Sequence, residues 1–413
     1  ELGRYSMSGT KLVTVNLPST LQRIDYCAFK DVVTLKQVNF PAQMESTGFI
    51  IEDSVFSGCN ALATVNLPEG LEGLGYYAFY NCKALKNITI PSTVNDMGRY
   101  YYSATSTTYG SVFYGCSALE KAEFAYTVVD GVKVTNAVLT KIGSSTFRNC
   151  SSLTEFYVPA SVEIIDTYAF AGCTKLASIT FEKGSIEGGS KLETIGNYAF
   201  QGTALTEFIF PESSADVMEL GSNLFDKCKT LTKVYLSRNI ADIGAAFKGC
   251  SNISDLTVSP KNVNFKPYES TDGKKYPLLV DPDGTAIKFV YGDIVGEFAI
   301  PEGIESIADS AFKDQTLITK ITLPASLISI GQYAFSYCSS LEEVVMPYDS
   351  AIETIGQYSF EYTSSLKHID IPGDENGVMK VRLEGNCFQY SGIESITFRG
   401  DIAYVGNYIF QYC

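Results

Sequence analysis

The chain predicts a β-rich solenoid of about fourteen coils, in which a stacked parallel sheet faces short irregular or second-wall segments. Three observations carry that prediction. One phrase, most complete in ITLPASLISIGQYAFSYC from Ile321 to Cys338, recurs along the 413 residues. Its marker phenylalanine falls at Phe29, Phe56, Phe79, Phe113, Phe147, Phe170, Phe200, Phe225, Phe247, Phe312, Phe335, Phe360, Phe388 and Phe410, mostly 22 to 34 residues apart with one gap of 65. Composition agrees: 45% hydrophobic and 13% aromatic residues, no Trp, and many of the Thr, Ile, Val and Tyr that favour strands. A unit this short cannot bury its own apolar side chains and becomes stable only when neighbouring coils cover it.

Written out, the phrase is L-x-x-I-x-I-P-x-x-x-L-x-x-I-G-x-x-A-F-x-x-C. Its first half alternates as a strand, so that Leu62, Val65 and Leu67, or Leu366, Ile369 and Ile371, point inward. Proline then ends the strand, at Pro18, Pro68, Pro159, Pro211, Pro324 and Pro372 among others, because it has no amide to donate. The second half supplies the opposite wall with Leu71 and Leu74, Leu192 and Ile195, and Leu327 and Ile330. Gly75, Gly196 and Gly331 follow at a bend, where a positive backbone angle is cheap. Ala78 with Phe79, and Ala334 with Phe335, close the coil as packing pairs.

Nine of the eleven cysteines lie three residues after a marker Phe, which makes them one column in one register. Parallel Cβ vectors are poor geometry for disulfides, and the odd total argues against a complete disulfide framework. Zinc is disfavoured as well, since there is no C-x-x-C pair and His368 is the one histidine. These are expected to be buried, reduced thiols that satisfy backbone groups of the adjoining turn. No metal and no cofactor is implied.

With I-x-I-P and I-G-x-x-A-F-x-x-C repeating at a spacing near 23, the chain resembles the BspA-like leucine-rich repeat family over nearly its whole length. The resemblance implies a leucine-rich repeat superhelix. It also implies a surface or secreted bacterial protein of adhesin-like character that contacts host matrix proteins and other cells.

Departures from the array mark where function is added, since insertions project without disturbing the core. Arg99 to Gly110 places Tyr100, Tyr101, Tyr102 and Tyr109 in a Ser/Thr-rich loop suited to recognition. Tyr126 to Asn136 reads as a hairpin around Asp130 and Gly131, and Glu182 to Ser190 as a longer Gly-rich turn. Within Ser259 to Gly292, Tyr276 to Val280 and Thr285 to Tyr291 read as strands joined by a turn at Asp281-Pro282-Asp283-Gly284. A calcium reading of those aspartates lacks the remaining loop ligands. The expected organisation is an amino-terminal repeat stack over 1–258, a hairpin-like insertion over 259–292 and a carboxy-terminal stack over 293–413, within one continuous solenoid. The chain opens part-way through a unit and closes on the cysteine position, so further natural sequence is expected.

The outward row of the sheet is mostly Asn and Thr. Tyr157, Ile209 and Tyr235 are its three bulky members and its best partner-binding candidates. A second ridge, Tyr77, Tyr168, Tyr198, Tyr333, Tyr358 and Tyr408, follows the repeat so regularly that it reads as scaffold. The net charge of −15 excludes a nucleic-acid partner of the usual kind, which needs a basic stripe, and disfavours anionic membrane surfaces. No apolar run approaches the roughly 20 residues of a spanning helix. Catalysis is not expected, for the chain has no nucleophile elbow, no phosphate-binding glycine loop and no H-E-x-x-H, and its strand faces lack the acidic and basic gathering of a polysaccharide lyase. His368 reads as an exposed surface residue. The expected function is non-catalytic binding of an extended protein or cell-surface macromolecule, outside the cell or on its surface. A glycan-binding module using exposed tyrosines is the alternative.

Overall fold

The computed structural model describes residues 1–45, 48–99, 110–183, 189–270, 273–372, 381–400 and 402–413. They form two compact units, one comprising Glu1–Cys250 and Ser259–Lys261, the other Ser251–Val258 and Asn262–Cys413. No described residue is helical.

In the amino-terminal unit, the I-x-I half of each phrase forms a short parallel strand. Thr14–Asn16, Gln37–Asn39 and Thr64–Asn66 pair in strict register, with Val15, Val38 and Val65 aligned. Asn87–Ile90 pairs with Lys121–Phe124, Glu155–Val158 with Ser178–Phe181, and Glu207–Ile209 with Lys233–Leu236. The second half of the phrase is also a strand. Arg23–Ile24, Phe49–Ile51, Leu71–Gly75 and Asp96–Arg99 make one ladder, and Lys141–Ile142, Ile164–Ile165, Thr194–Ile195 and Glu219–Leu220 another.

The carboxy-terminal unit repeats the plan. Gly296–Ala299, Ile318–Thr322 and Glu343–Val345 form its first wall, and His368–Ile371 pairs with Ser395–Phe398. Ala286–Val290, Ser306–Ile307, Ser329–Ile330, Thr354–Ile355, Val381–Leu383 and Ile402–Val405 form the second.

The turns number about sixteen, not fourteen. Two turns lack the marker. Met7 donates its amide to Ala28 O just as Phe29 donates to Val55 O, and Val290 donates to Ala311 O as Phe312 does to Ala334 O. An apolar side chain of another shape fills the marker's place in both. The strand Ala286–Val290 is therefore both the second arm of the expected hairpin, antiparallel to Leu278–Val280, and a wall of the solenoid, parallel to Ser306–Ile307.

Between the second wall and the cysteine, backbone donors alternate. Ala28, Lys30 and Val32 bond back three residues to Asp25, Cys27 and Phe29, while Cys27, Phe29 and Asp31 bond to Asp53, Val55 and Ser57 of the next coil. Every buried amide in this stretch thereby finds a partner without a helix. Alternation needs left-handed backbone at two corners, two residues before and two after the marker. Tyr77, Tyr168, Tyr198, Tyr333, Tyr358 and Tyr408 sit at the first corner with φ between 55° and 60°. The expected positive angle at Gly75, Gly196 and Gly331 is absent. Glycine is needed there because stacked backbones approach closely: a Cβ on Gly331 would stand 2.7 Å from the Ala308 carbonyl carbon, and one on Gly196 2.5 Å from Thr167 N.

The core is a column of rings and thiols. From Phe29 to Phe247 successive marker rings stack at 5.2 to 5.7 Å, and from Phe312 to Phe410 at 4.9 to 5.7 Å. All eleven cysteines are free, and all except Cys413 are buried. Beside the rings, Cys82 Sγ donates to Phe56 O at 3.1 Å, and Cys173 Sγ to Phe147 O at 3.0 Å.

Candidate interaction surfaces

On the outward side of the first wall the row of Asn and Thr is a ladder of its own, with Asn39 Nδ2 donating to Asn16 Oδ1 at 2.8 Å. Ile209 stands directly across from Tyr235 in the paired strands and is 54% exposed. Tyr235 is half-buried, its hydroxyl 3.3 Å from Glu212 Oε1. Tyr157 lies in the same row two strands earlier, across from Thr180, but its hydroxyl donates to Lys133 O at 3.0 Å. Tyr157 therefore supports a hairpin, while Ile209 and Tyr235 form the apolar step on the face. Tyr100, Tyr101, Tyr102 and Tyr109 lie outside the described residues.

That hairpin is Thr127–Val129 against Val132–Val134, antiparallel, with Asp130 and Gly131 at φ 50° and 80° in the turn. Mirror-image turn angles match the twist of the two strands. Glu182 anchors its base. The carboxylate is buried and accepts from Thr135 N at 2.9 Å, Thr135 Oγ1 at 2.7 Å and Ala160 N at 3.0 Å. Sequence alone does not assign Glu182 this role, because it lies 47 residues from Thr135. The hairpin's Val128, Val129 and Val132 are all exposed, an apolar tip that the alternation of TVVDGVKV conceals.

The chemistry-bearing groups that the sequence singles out, Asp281 and His368, make local contacts. Asp281 Oδ1 accepts from the amides of Gly284, Thr285 and Ala286. Burial opposes its charge, yet those three bonds hold the carboxyl below its ordinary range. His368 is exposed, with Nδ1 2.7 Å from Ser395 Oγ and Nε2 3.0 Å from Asp370. Asp370 is held below its ordinary range chiefly by Arg399, which also pairs with it. Among the described residues no group of three or more His, Cys, Asp or Glu is placed to hold a metal ion, and no helix is long and apolar enough to cross a membrane. One further feature was legible only in hindsight: FSYC, FEYT, FQYS and FQYC put a tyrosine two residues after four successive markers, at Tyr337, Tyr362, Tyr390 and Tyr412.

Residues 1–140, 140–269 and 288–413 match the BspA type Leucine rich repeat region, in six copies. The chain belongs to the BspA-type leucine-rich repeat family. Among curated proteins none matches it. Of solved structures, a leucine-rich repeat protein from Bacteroides ovatus is similar at 21% identity and a TM-score of 0.57, over 96% of this chain and 86% of that one. A leucine rich cell surface protein from Faecalibacterium prausnitzii follows at 20% identity and 0.43, over 87% and 89%. The pneumococcal vaccine antigen PcpA follows at 19% identity and 0.38, over 96% and 80%. The Bacteroides likeness shows the fold. In this BspA-type protein the recurring phrase is thus spent on coil closure, and what distinguishes one face from another lies in the residues between.

Proposed function

We propose that this BspA-type repeat protein is a non-catalytic scaffold, exported and displayed on or released from a bacterial cell, that binds an extended protein partner through the outer sheet face and its inserted hairpin. The observation that carries this reading is the Ile209–Tyr235 pair: an exposed β-branched residue beside a tyrosine, in a row that is mostly small and polar. Aliphatic and tyrosine side chains of this kind give contact area at low entropic cost. The exposed Val128, Val129 and Val132 of the hairpin add apolar surface in the same unit. Family membership supports the interaction role, and the titratable groups described above are engaged in turns and ion pairs, which supports the absence of catalysis.

Capture from a panel of extracellular-matrix and host-surface proteins tests it, using the whole chain and an Ile209→Ser/Tyr235→Ser variant. A partner retained by the wild type and lost by the variant is the expected result. Equal retention by both, or binding confined to a glycan array, would overturn it. Glycan stacking has little support in the carboxy-terminal unit, where the Tyr333 and Tyr358 ring faces are turned on each other at 4.9 Å.

A further inference from the structure

The left-handed corner two residues after the marker is filled differently in the two units. Asp31, Asn81 and Asn149 alternate there with Gly58, Gly115 and Gly172 in the amino-terminal unit, residue types for which that backbone is cheap, and Lys227 is the exception. In the carboxy-terminal unit Asp314 holds it in the first marker turn and Tyr337, Tyr362, Tyr390 and Tyr412 in the four that follow, at φ 55° to 65°. Their rings form a stack with centroids 4.6, 4.7 and 4.8 Å apart and planes within 20° of parallel. Tyr337, Tyr390 and Tyr412 are exposed. The backbone alone does not require tyrosine, and stacking turns the ring faces on one another.

Tyr333, Tyr358, Asn386 and Tyr408 form the other column of the same turns, at the corner before the marker. Between the columns in each turn lies the residue after the marker: Lys313, Ser336, Glu361, Gln389 and Gln411 in order. Lys313 shows how this strip accommodates a cation. Its Nζ lies 4.9 Å from the Tyr333 ring centroid and 5.9 Å from that of Tyr337. Further along, Glu361 Oε2 accepts from Ser336 Oγ at 3.3 Å, and burial holds its carboxyl above the ordinary range. Burial and neighbouring phenols raise Tyr333, Tyr362 and Tyr390, and Glu361 adds to the shift in all three, so its charge is felt in both columns. Charge is distributed unevenly as well. Ser251–Val258 with Asn262–Cys413 contains 10 Lys and Arg against 22 Asp and Glu, a net −12 of the chain's −15.

We propose that this strip is a docking surface for a basic, extended polypeptide segment of a partner protein, whose Lys or Arg side chains lie between the two columns and pair with Glu361. An ammonium or guanidinium can take phenol oxygens and the Glu361 carboxylate as acceptors, and the acidic unit steers it there, whereas a sugar ring would need the ring faces that the stacked tyrosines present to one another. The proposal rests on the reading of the chain as a non-catalytic interaction scaffold but uses other residues.

The four rings span roughly 14 Å, the length of about five residues of an extended strand. The test is fluorescence anisotropy of the whole chain with a labelled Lys-Ser alternating peptide of about twice that length, beside a Glu-Ser peptide. The lysine peptide is expected to bind saturably, more weakly as salt rises, and the glutamate peptide not to bind. Tyr362→Asn/Tyr390→Asn keeps a residue type suited to the left-handed corner and is expected to lose roughly ten-fold in affinity. Glu361→Gln is expected to weaken binding with an unchanged melting temperature, which keeps the test decisive should the tyrosine variant fold poorly. No binding by the wild type, equal binding of the two peptides, or full affinity in folded Glu361→Gln would overturn the proposal. Ile209→Ser/Tyr235→Ser is expected to keep peptide affinity, so this surface and the sheet face fail or stand separately.

Discussion

Cys59 donates its Sγ–H to the carbonyl oxygen of Phe29, one coil back, at 3.1 Å. The bond recurs from Cys116 to Phe79, Cys228 to Phe200 and Cys338 to Phe312, so each thiol ties the marker of one turn to the next. Cys59→Ala removes the donor and leaves that carbonyl with the Val32 amide alone, a loss of about 0.5–1.5 kcal/mol by urea denaturation. Cys59→Thr is expected to cost less. Thr203 and Thr363 already stand at this position, donating to Phe200 O at 2.9 Å and Phe360 O at 2.8 Å within their own turns.

Two neighbouring positions are expected to respond in opposite ways to the size of the side chain. Gly331→Ala forces a Cβ to within 2.7 Å of Ala308 and Asp309 backbone atoms, and is expected to destabilise by about 1–3 kcal/mol or more. Tyr333→Asn, two residues on at φ 55°, keeps a residue at ease in left-handed backbone and is expected to stay within about 1 kcal/mol. Thermal melts of the two variants compare them directly, and the reverse order would contradict the assignment of close approach to the glycine.

Glu52 is buried against Asp25, Asp53 and Arg23. Burial, with the two acids, pushes its carboxyl up to about 7 despite Arg23, which pairs with it. The folded value lies above the ordinary 4.5, so the contribution to stability is whole below 4.5 and is lost as pH climbs to about 7. Glu52→Gln is expected to remove that part of the slope in a plot of melting temperature against pH.

Glu182 fixes the hairpin to the wall through two backbone amides and one hydroxyl. Glu182→Ala strands those donors, at an expected cost of about 2–3 kcal/mol. Hydrogen exchange at residues 127–134 is expected to quicken more than exchange at the Phe-column amides. Uniform acceleration would mean that the carboxylate holds the whole stack instead.

The repeat was legible because packing repeats. Leu, Ile and Phe at fixed spacing must share one core, and the registers Val15–Val38–Val65 and Ile321–Val344 follow from it. What escaped was decided by contacts that no spacing encodes. Met7 and Val290 complete coils because any apolar side chain fills the marker's place, so a search for Phe undercounts them. The positive angle expected at Gly331 falls on Tyr333 instead: in a sequence a glycine signals either a positive angle or a close neighbour, and only the stacked coil tells which. Ile209 and Tyr235 are brought together as expected, whereas Tyr157 is engaged by Lys133 of a hairpin whose position the sequence leaves open.

The most direct measurement is a count of reactive thiols in the folded chain. Burial pushes Cys59 and Cys338 up to about 12 and raises the others that shift, so at neutral pH stacked coils leave thiols both protonated and out of reach. Alkylation followed by mass spectrometry is expected to modify Cys413 promptly and the ten buried cysteines only after denaturation. Rapid native modification of several of them, or disulfides joining them, would contradict a sealed column and with it the scaffold that presents both proposed surfaces.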